Sequence, residues 1–181
     1  MSRKYKFKNL EGIYFVSFAT VYWIDVFVRD EYFGIIAESL DYCRKNKGME
    51  IFAWCILPSH VHLIFRAKEN NPGVLIKELK TYTSKKLQDA IENHSQESRK
   101  EWILWLMERA GKKNSNVSKR QFWQQNNKPI ELWSTEVIKQ KMDYIHNNPV
   151  VSGFVTEANY WKYSSAIEYS GGKGVIEIDV I

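Results

Sequence analysis

Residues 49–57 and 61–65 are two apolar runs split by Pro58-Ser59 and the His60 that follows. Each run is too short for a core helix and is rich in Val, Ile, Phe and Trp, so the pair predicts two strands joined by a very short turn or kink. Their near-continuous apolarity makes them central, well-buried strands. Around this pair the remaining elements fall into order. Residues 13–20 read as a first strand. A helix follows from Asp30 as its cap, with Phe33, Ile36, Ala37, Leu40 and Cys43 at helical spacing and Gly48 at its end. Asn71-Pro72-Gly73 opens a second helix, with an apolar face of Val74, Ile76, Leu79 and Leu87. Trp102, Ile103, Trp105, Leu106 and Met107 give a third helical rhythm inside a stretch at about 95–118 that reads as a helical insertion or mobile segment. Phe122-Trp123 suits an edge strand, and Ser134 caps a helix that ends at Asn148-Pro149. Strand, helix, strand, strand, helix, insertion, strand, helix is the order of an α+β, ferredoxin-like (split βαβ) antiparallel sheet with helices on one face.

Composition narrows the class. The 181 residues are 44% hydrophobic and 26% charged, which excludes a disordered chain and fits one domain spanning residues 1–181. The net charge of +5 favours a polyanionic partner such as nucleic acid. Cys43 and Cys55 have neither disulfide-framework nor zinc-finger spacing, which makes a reducing cytoplasm the simplest setting. No stretch is apolar enough to span a membrane, and the residues after the basic start are too interrupted for a signal-peptide core.

The chemistry sits in two motifs. In Pro58-Ser59-His60-Val61-His62-Leu63, the histidines are two apart on a strand, so both imidazoles face one side and can grip one divalent ion. The same spacing also suits two polar residues at a strand edge, each satisfied by backbone. In Asp143-Tyr144-Ile145-His146-Asn147-Asn148-Pro149, Tyr144 and Asn148 stand one helical turn apart, so phenol and amide can approach the same point. A phenol, with an ordinary pKa of about 10, is a poor nucleophile until a metal polarises the phosphate it attacks. An ordinary core tyrosine followed by a helix C-terminus is the competing reading. His146 should point away from Tyr144, and His94 lies in a polar stretch suited to solvent.

HVH after a proline in an apolar strand, followed far downstream by YIHNNPV, resembles the single-tyrosine HUH transposases, in particular the REP-associated tyrosine transposases. Phe122-Trp123, Gly153-Phe154-Val155 and Tyr163-Ser164-Ser165-Ala166 resemble that family's later segments. The resemblance implies His60 and His62 on a central strand, Asn148 as third metal ligand, Tyr144 as nucleophile, and Mg2+ or Mn2+ as cofactor. It implies cleavage and rejoining of single-stranded, hairpin-forming DNA through a 5′-phosphotyrosine intermediate, by a monomer or homodimer associated with the nucleoid. Ser59 departs from the Asn or acidic residue more usual before the first histidine, which leaves the hold on the strand turn in doubt. Two imidazoles and an amide suit Mn2+ better than Mg2+.

For DNA, phosphate contacts are expected from Lys77, Lys80, Lys85 and Lys86, from Lys112, Lys113, Lys119 and Arg120, and from Arg3 and Lys4. Trp123 and Phe122 either stack on a base or join the core. Two rival functions remain: a non-catalytic RRM-like module that stacks bases on an open sheet, and a metal-dependent hydrolase that uses water and would survive Tyr144→Phe.

Overall fold

The Pro58-Ser59 break is a two-residue turn: β2 (Met49–Leu57) and β3 (His60–Ala67) pair antiparallel, with Leu57 opposite His60. The computed structural model describes residues 6–69, 71–117 and 119–181, so Arg3, Lys4 and Ser118 lie outside the described residues. β3 also pairs antiparallel with β1 (Tyr14–Ala19), and β1 with the short β4 (Ile130–Glu131), giving the order β2-β3-β1-β4. The fold is α+β, an antiparallel four-stranded sheet with helices α1 (Asp30–Asn46), α2 (Pro72–Asn93), α3 (Lys100–Gly111), α4 (Thr135–Val151) and α5 (Ala166–Tyr169). Among the described residues no helix is long and apolar enough to cross a membrane.

Alternation along the strands divides the core in two. Val16, Phe18, Ile51, Trp54, Ile56, Val61, Leu63 and Phe65 point to one face, where α1, α2 and α3 cover them. Phe15, Ala53, Cys55, Leu57 and Ile64 point to the other, where Ile145 of α4 packs on them. The expectation of helices on one face is therefore corrected. The apolar positions Val137, Ile138, Met142 and Ile145 give α4 its own buried stripe, and the second face of the sheet is the surface it covers. A bulge at Phe52 shifts the register between Ile51 and Ala53, which lets both halves of β2 keep their larger side chains on the first face.

Local signals act as read, with adjustments. Asn71 caps α2 by accepting from Gly73 N, and Ser134 caps α4 by accepting from Val137 N. Asp30 is the first residue of α1 rather than its cap; its carboxylate instead accepts from Lys162 Nζ and the Tyr163 hydroxyl, both at 2.9 Å. Gly48 turns the chain from α1 into β2 at φ 65, a conformation that a side chain would strain. The Phe122-Trp123 edge strand is replaced by a single bridge from Thr20 to Trp123. Ile56 N donates to Tyr163 O and Ser165 N to Trp54 O, so the chain after α4 covers the outer edge of β2.

Candidate active site

The turn leaves β3 with His60, His62 and Ile64 on the face that α4 covers, while Val61, Leu63 and Phe65 enter the opposite core. Across β1, Ser17 pairs with His62 and Ala19 with His60. On α4, Lys141, Tyr144 and Asn148 follow one another at spacings of three and four, so they form a single stripe beside the buried Ile145. α4 does not end at Asn148-Pro149 as expected but continues to Val151. The proline forfeits one internal bond, to the Ile145 carbonyl. Bonds from Ser152 N to Asn148 O and from Phe154 N to Pro149 O then close the end of the helix.

The stripe meets the histidines. Asn148 Nδ2 lies 3.1 Å from His62 Nε2, and the Tyr144 ring stands edge-on to His62 with centroids 5.3 Å apart. Phe15 stacks on His62 at 5.6 Å and also meets the Tyr144 ring edge-on at 6.0 Å, and the two imidazoles are 4.7 Å apart. Lys141 Nζ lies 5.4 Å from the Tyr144 ring centroid and 5.1 Å from that of Phe15, bringing one positive charge to the phenol. Tyr144 is 48% exposed, whereas His62 is 3% exposed, so the nucleophile candidate is open to solvent above a closed floor.

The histidines are suited to donate lone pairs. Burial holds the His62 pKa down to about 3, helped by the charges of His60 and Lys141, and burial lowers that of His60 against the opposing pull of Asp25. Both rings are therefore neutral near pH 7. Two ligands of one octahedral ion at about 2.1 Å stand about 3 Å apart, which is the separation of His62 Nε2 and the Asn148 amide once its oxygen is turned inward. The buried His62 Nδ1 has no hydrogen-bond partner. Ser59 Oγ lies 3.2 Å from His60 Nδ1, which leaves the other ring nitrogen of His60 free of that contact. Among the described residues no group of three His, Cys, Asp or Glu forms, so Asn148 is the third donor at hand. In donor chemistry His60, His62 and Asn148 suit a divalent ion.

With this geometry in view, residues 14–107 match the family described as "Transposase IS200 like". The chain belongs to the IS200-like transposases. A Haemophilus influenzae protein that carries the name of a REP-associated tyrosine transposase is 29% identical over 123 residues, covering 67% of this chain and 61% of that protein, less than two thirds of its length. A solved structure of a REP-associated tyrosine transposase bound to a REP hairpin shares the fold, with a TM-score of 0.66 at 16% identity, over 99% of this chain and 93% of that one. The family match takes in β1 and the histidine strand; α4, with Tyr144 and Asn148, lies beyond it.

Elsewhere in this IS200-like transposase the expected contacts separate. Trp123 is a core residue: it is 5% exposed, packs edge-on against Phe18 at 4.9 Å and donates from Nε1 to Thr83 Oγ1, so it has no face for a base. Phe122 is buried beside it. Lys80 is also turned inward, donating to Gln124 O and Asn127 Oδ1, with its pKa brought down to about 8 by burial. Arg120 is engaged by Glu92 and Glu108. Lys77, Lys85, Lys86, Lys112, Lys113 and Lys119 are exposed. They do not share one face, because Lys77 lines a cavity of about 910 Å³ with Asn114, Asn116, Val117 and residues 120–129, whereas Lys86 lines a groove between α1 and α2. The first cavity is lined by Lys6, Lys77, Lys80, Arg120, Lys128 and many amides, with no acidic residue among the described residues.

His146 points away from Tyr144, as its position requires, and its Nε2 lies 2.9 Å from Ser165 Oγ, which also accepts from Trp54 N. This contact ties α4 to β2. His94 is partly covered between Tyr32 and Glu31 rather than free in solvent. Sequence reasoning missed Phe15 and Lys141. Lys141 had a usable signal, three residues before Tyr144 on one helix face; Phe15 had none, because only the β1–β3 register brings it beside His62.

Proposed function

We propose that this chain cleaves and rejoins single-stranded, hairpin-forming DNA, with Tyr144 as the nucleophile and His60, His62 and Asn148 as ligands of Mn2+ or Mg2+. The observation that carries this reading is the convergence, within one chain, of the Tyr144 ring on His62 at 5.3 Å and of Asn148 on the same imidazole at 3.1 Å. The ion, when bound, polarises a non-bridging phosphate oxygen. Tyr144 Oη forms a bond to phosphorus, the bond to the 3′ oxygen breaks, and that oxygen leaves as a hydroxyl after taking up a proton. The phenol proton passes to solvent, to which Tyr144 is open. The phosphodiester is conserved on Tyr144, and attack by another 3′ hydroxyl restores it, so no nucleotide cofactor is consumed. Lys141, over the Tyr144 ring, opposes the negative charge that builds on the phosphate in transit.

Hairpin DNA as substrate is taken from the similar REP-associated transposase, which is bound to one. Its phosphates would meet Lys77 and the cationic cavity that Lys77 lines, with Arg120 and Lys80 holding that cavity in shape. The RRM-like reading is disfavoured because α4 occupies the sheet face opposite α1 and α2, leaving no open platform of strand aromatics.

The test is a denaturing gel of labelled single-stranded hairpin DNA after incubation with wild type or Tyr144→Phe, with Mn2+ or with EDTA. A protease-sensitive adduct that needs both metal and the phenol is expected. Cleavage by Tyr144→Phe at the wild-type rate would transfer the role to water.

A further inference from the structure

The turn after β1 contains Tyr22 and Trp23 at φ 56 and φ 57, two consecutive bulky residues in the left-handed region. L residues with large side chains rarely adopt that conformation, and glycine or asparagine would hold it at less strain. The turn is nevertheless fixed. Thr20 is fully buried and its hydroxyl lies 2.8 Å from Ile24 O and 3.1 Å from Ser59 O; Trp23 N donates to Thr20 O; Val21 and Ile24 are buried anchors. The result of this fixed, strained turn is an indole held outward, 55% exposed, with its ring 5.3 Å from that of His60. Ala19, four residues earlier, is paired with His60 across the sheet, so the indole stands at the mouth of the metal site. Other exposed tryptophans lack this combination: Trp105 is capped by Arg109, and Trp102 and Trp133 have neither strained backbone nor a histidine contact.

We infer that Trp23 is the platform on which an unpaired base next to the scissile phosphate stacks. The inference rests on the strand-transfer reading of the site. A flat indole beside the metal ligands suits any of the four bases, because each offers a π face, and it would fix the nucleotide whose phosphate must lie between His60 and Tyr144. Trp23 thus binds the substrate and takes no part in bond making.

The experiment walks a single abasic nucleotide across both sides of the cleavage point of a single-stranded hairpin oligonucleotide, and compares wild type, Trp23→Ala, Trp23→Phe and Trp23→Gly. Binding is read in the Tyr144→Phe background with EDTA, and adduct formation in the Tyr144 background with Mn2+. Trp23→Ala should weaken binding and raise KM roughly ten-fold, with kcat within about twofold. Trp23→Phe should keep most of the affinity. Trp23→Gly, which relieves the left-handed backbone, should hold or raise Tm while losing the same affinity as alanine. An abasic nucleotide at one position should remove the difference between wild type and Trp23→Ala. Equal binding by wild type and Trp23→Ala on the intact oligonucleotide, or a penalty that survives at every abasic position, would overturn the platform. If no variant forms an adduct while the binding differences persist, the strand-transfer reading fails, and Trp23 is a base-stacking residue of a binding site with no scissile phosphate beside it.

Discussion

The two faces of the sheet are built from the same strands, and they treat a buried ionisable group in opposite ways. On the side of α1, α2 and α3, Glu97 is 4% exposed, and its carboxylate accepts from Arg29, Arg99 and the Arg99 backbone. Although burial opposes ionisation, those bonds hold its pKa down to about 2. On the side of α4, His62 is as deeply buried, yet its Nδ1 has no partner and its Nε2 faces only an amide. On the first face the buried carboxylate is fully paired, although Trp54 Nε1 there has no hydrogen-bond partner. The second leaves a donor set incomplete, which is the mark of a place where something else binds.

The comparison is sharpened by substitutions on each side, and the largest effect expected is on chemistry. Tyr144→Phe should lower adduct formation by about a thousand-fold or more while Tm stays within the range of a surface change, about 0.5 kcal/mol. Quantitative adduct gels and thermal melts check both halves. Leu63→Ala, one residue from His62 but on the first face, should do the reverse: it should cost about 2–5 kcal/mol of stability. Folded protein of that variant should still form the adduct, as read by denaturant titration and gels below the transition.

Next in size is metal linkage. Mn2+ should raise the Tm of wild type, and His62→Ala or Asn148→Ala should abolish the rise, because an ion that binds only the folded chain stabilises it by mass action. An undiminished shift in both variants would place the metal elsewhere. Glu97→Gln gives the contrasting pH test. The folded pKa is depressed to about 2, so its stabilisation is present above the ordinary value near 4.5 and is lost as pH falls from there toward about 2. The variant should be less stable by up to about 3 kcal/mol at pH 7, and its stability should change less between those pH values. The smallest effect is expected from Lys77→Ala, which should weaken DNA binding evenly across sequences and reduce the slope of log affinity against log salt by about one.

Much of the first face could be read from sequence, because a continuous apolar run and a helical rhythm are local signals. Residues 49–57, 61–65 and the Ile36, Leu40, Leu79 and Leu87 positions fall where periodicity puts them. The histidine pair and the Tyr144–Asn148 spacing were legible for the same reason, each lying within one element. What escaped was set between elements. The side on which α4 lies depends on which sheet face remains uncovered, and no local pattern states that. Trp123 and Lys80 carry the composition of a nucleic-acid contact, yet the packing of residues 122–127 along β1 buries the first and occupies the second. The bulge at Phe52 and the outward hold on Trp23 come from register and backbone conformation, to which residue type is only a weak guide.

The account stands on Tyr144 carrying DNA, and mass spectrometry tests it most directly. Wild type is incubated with Mn2+ and single-stranded hairpin DNA, digested with nuclease and trypsin, and the peptide beginning at Met142 is fragmented. The account predicts a nucleotide mass attached through phosphate to Tyr144. Cleaved DNA with an unmodified Tyr144, or the nucleotide on another residue, would contradict it.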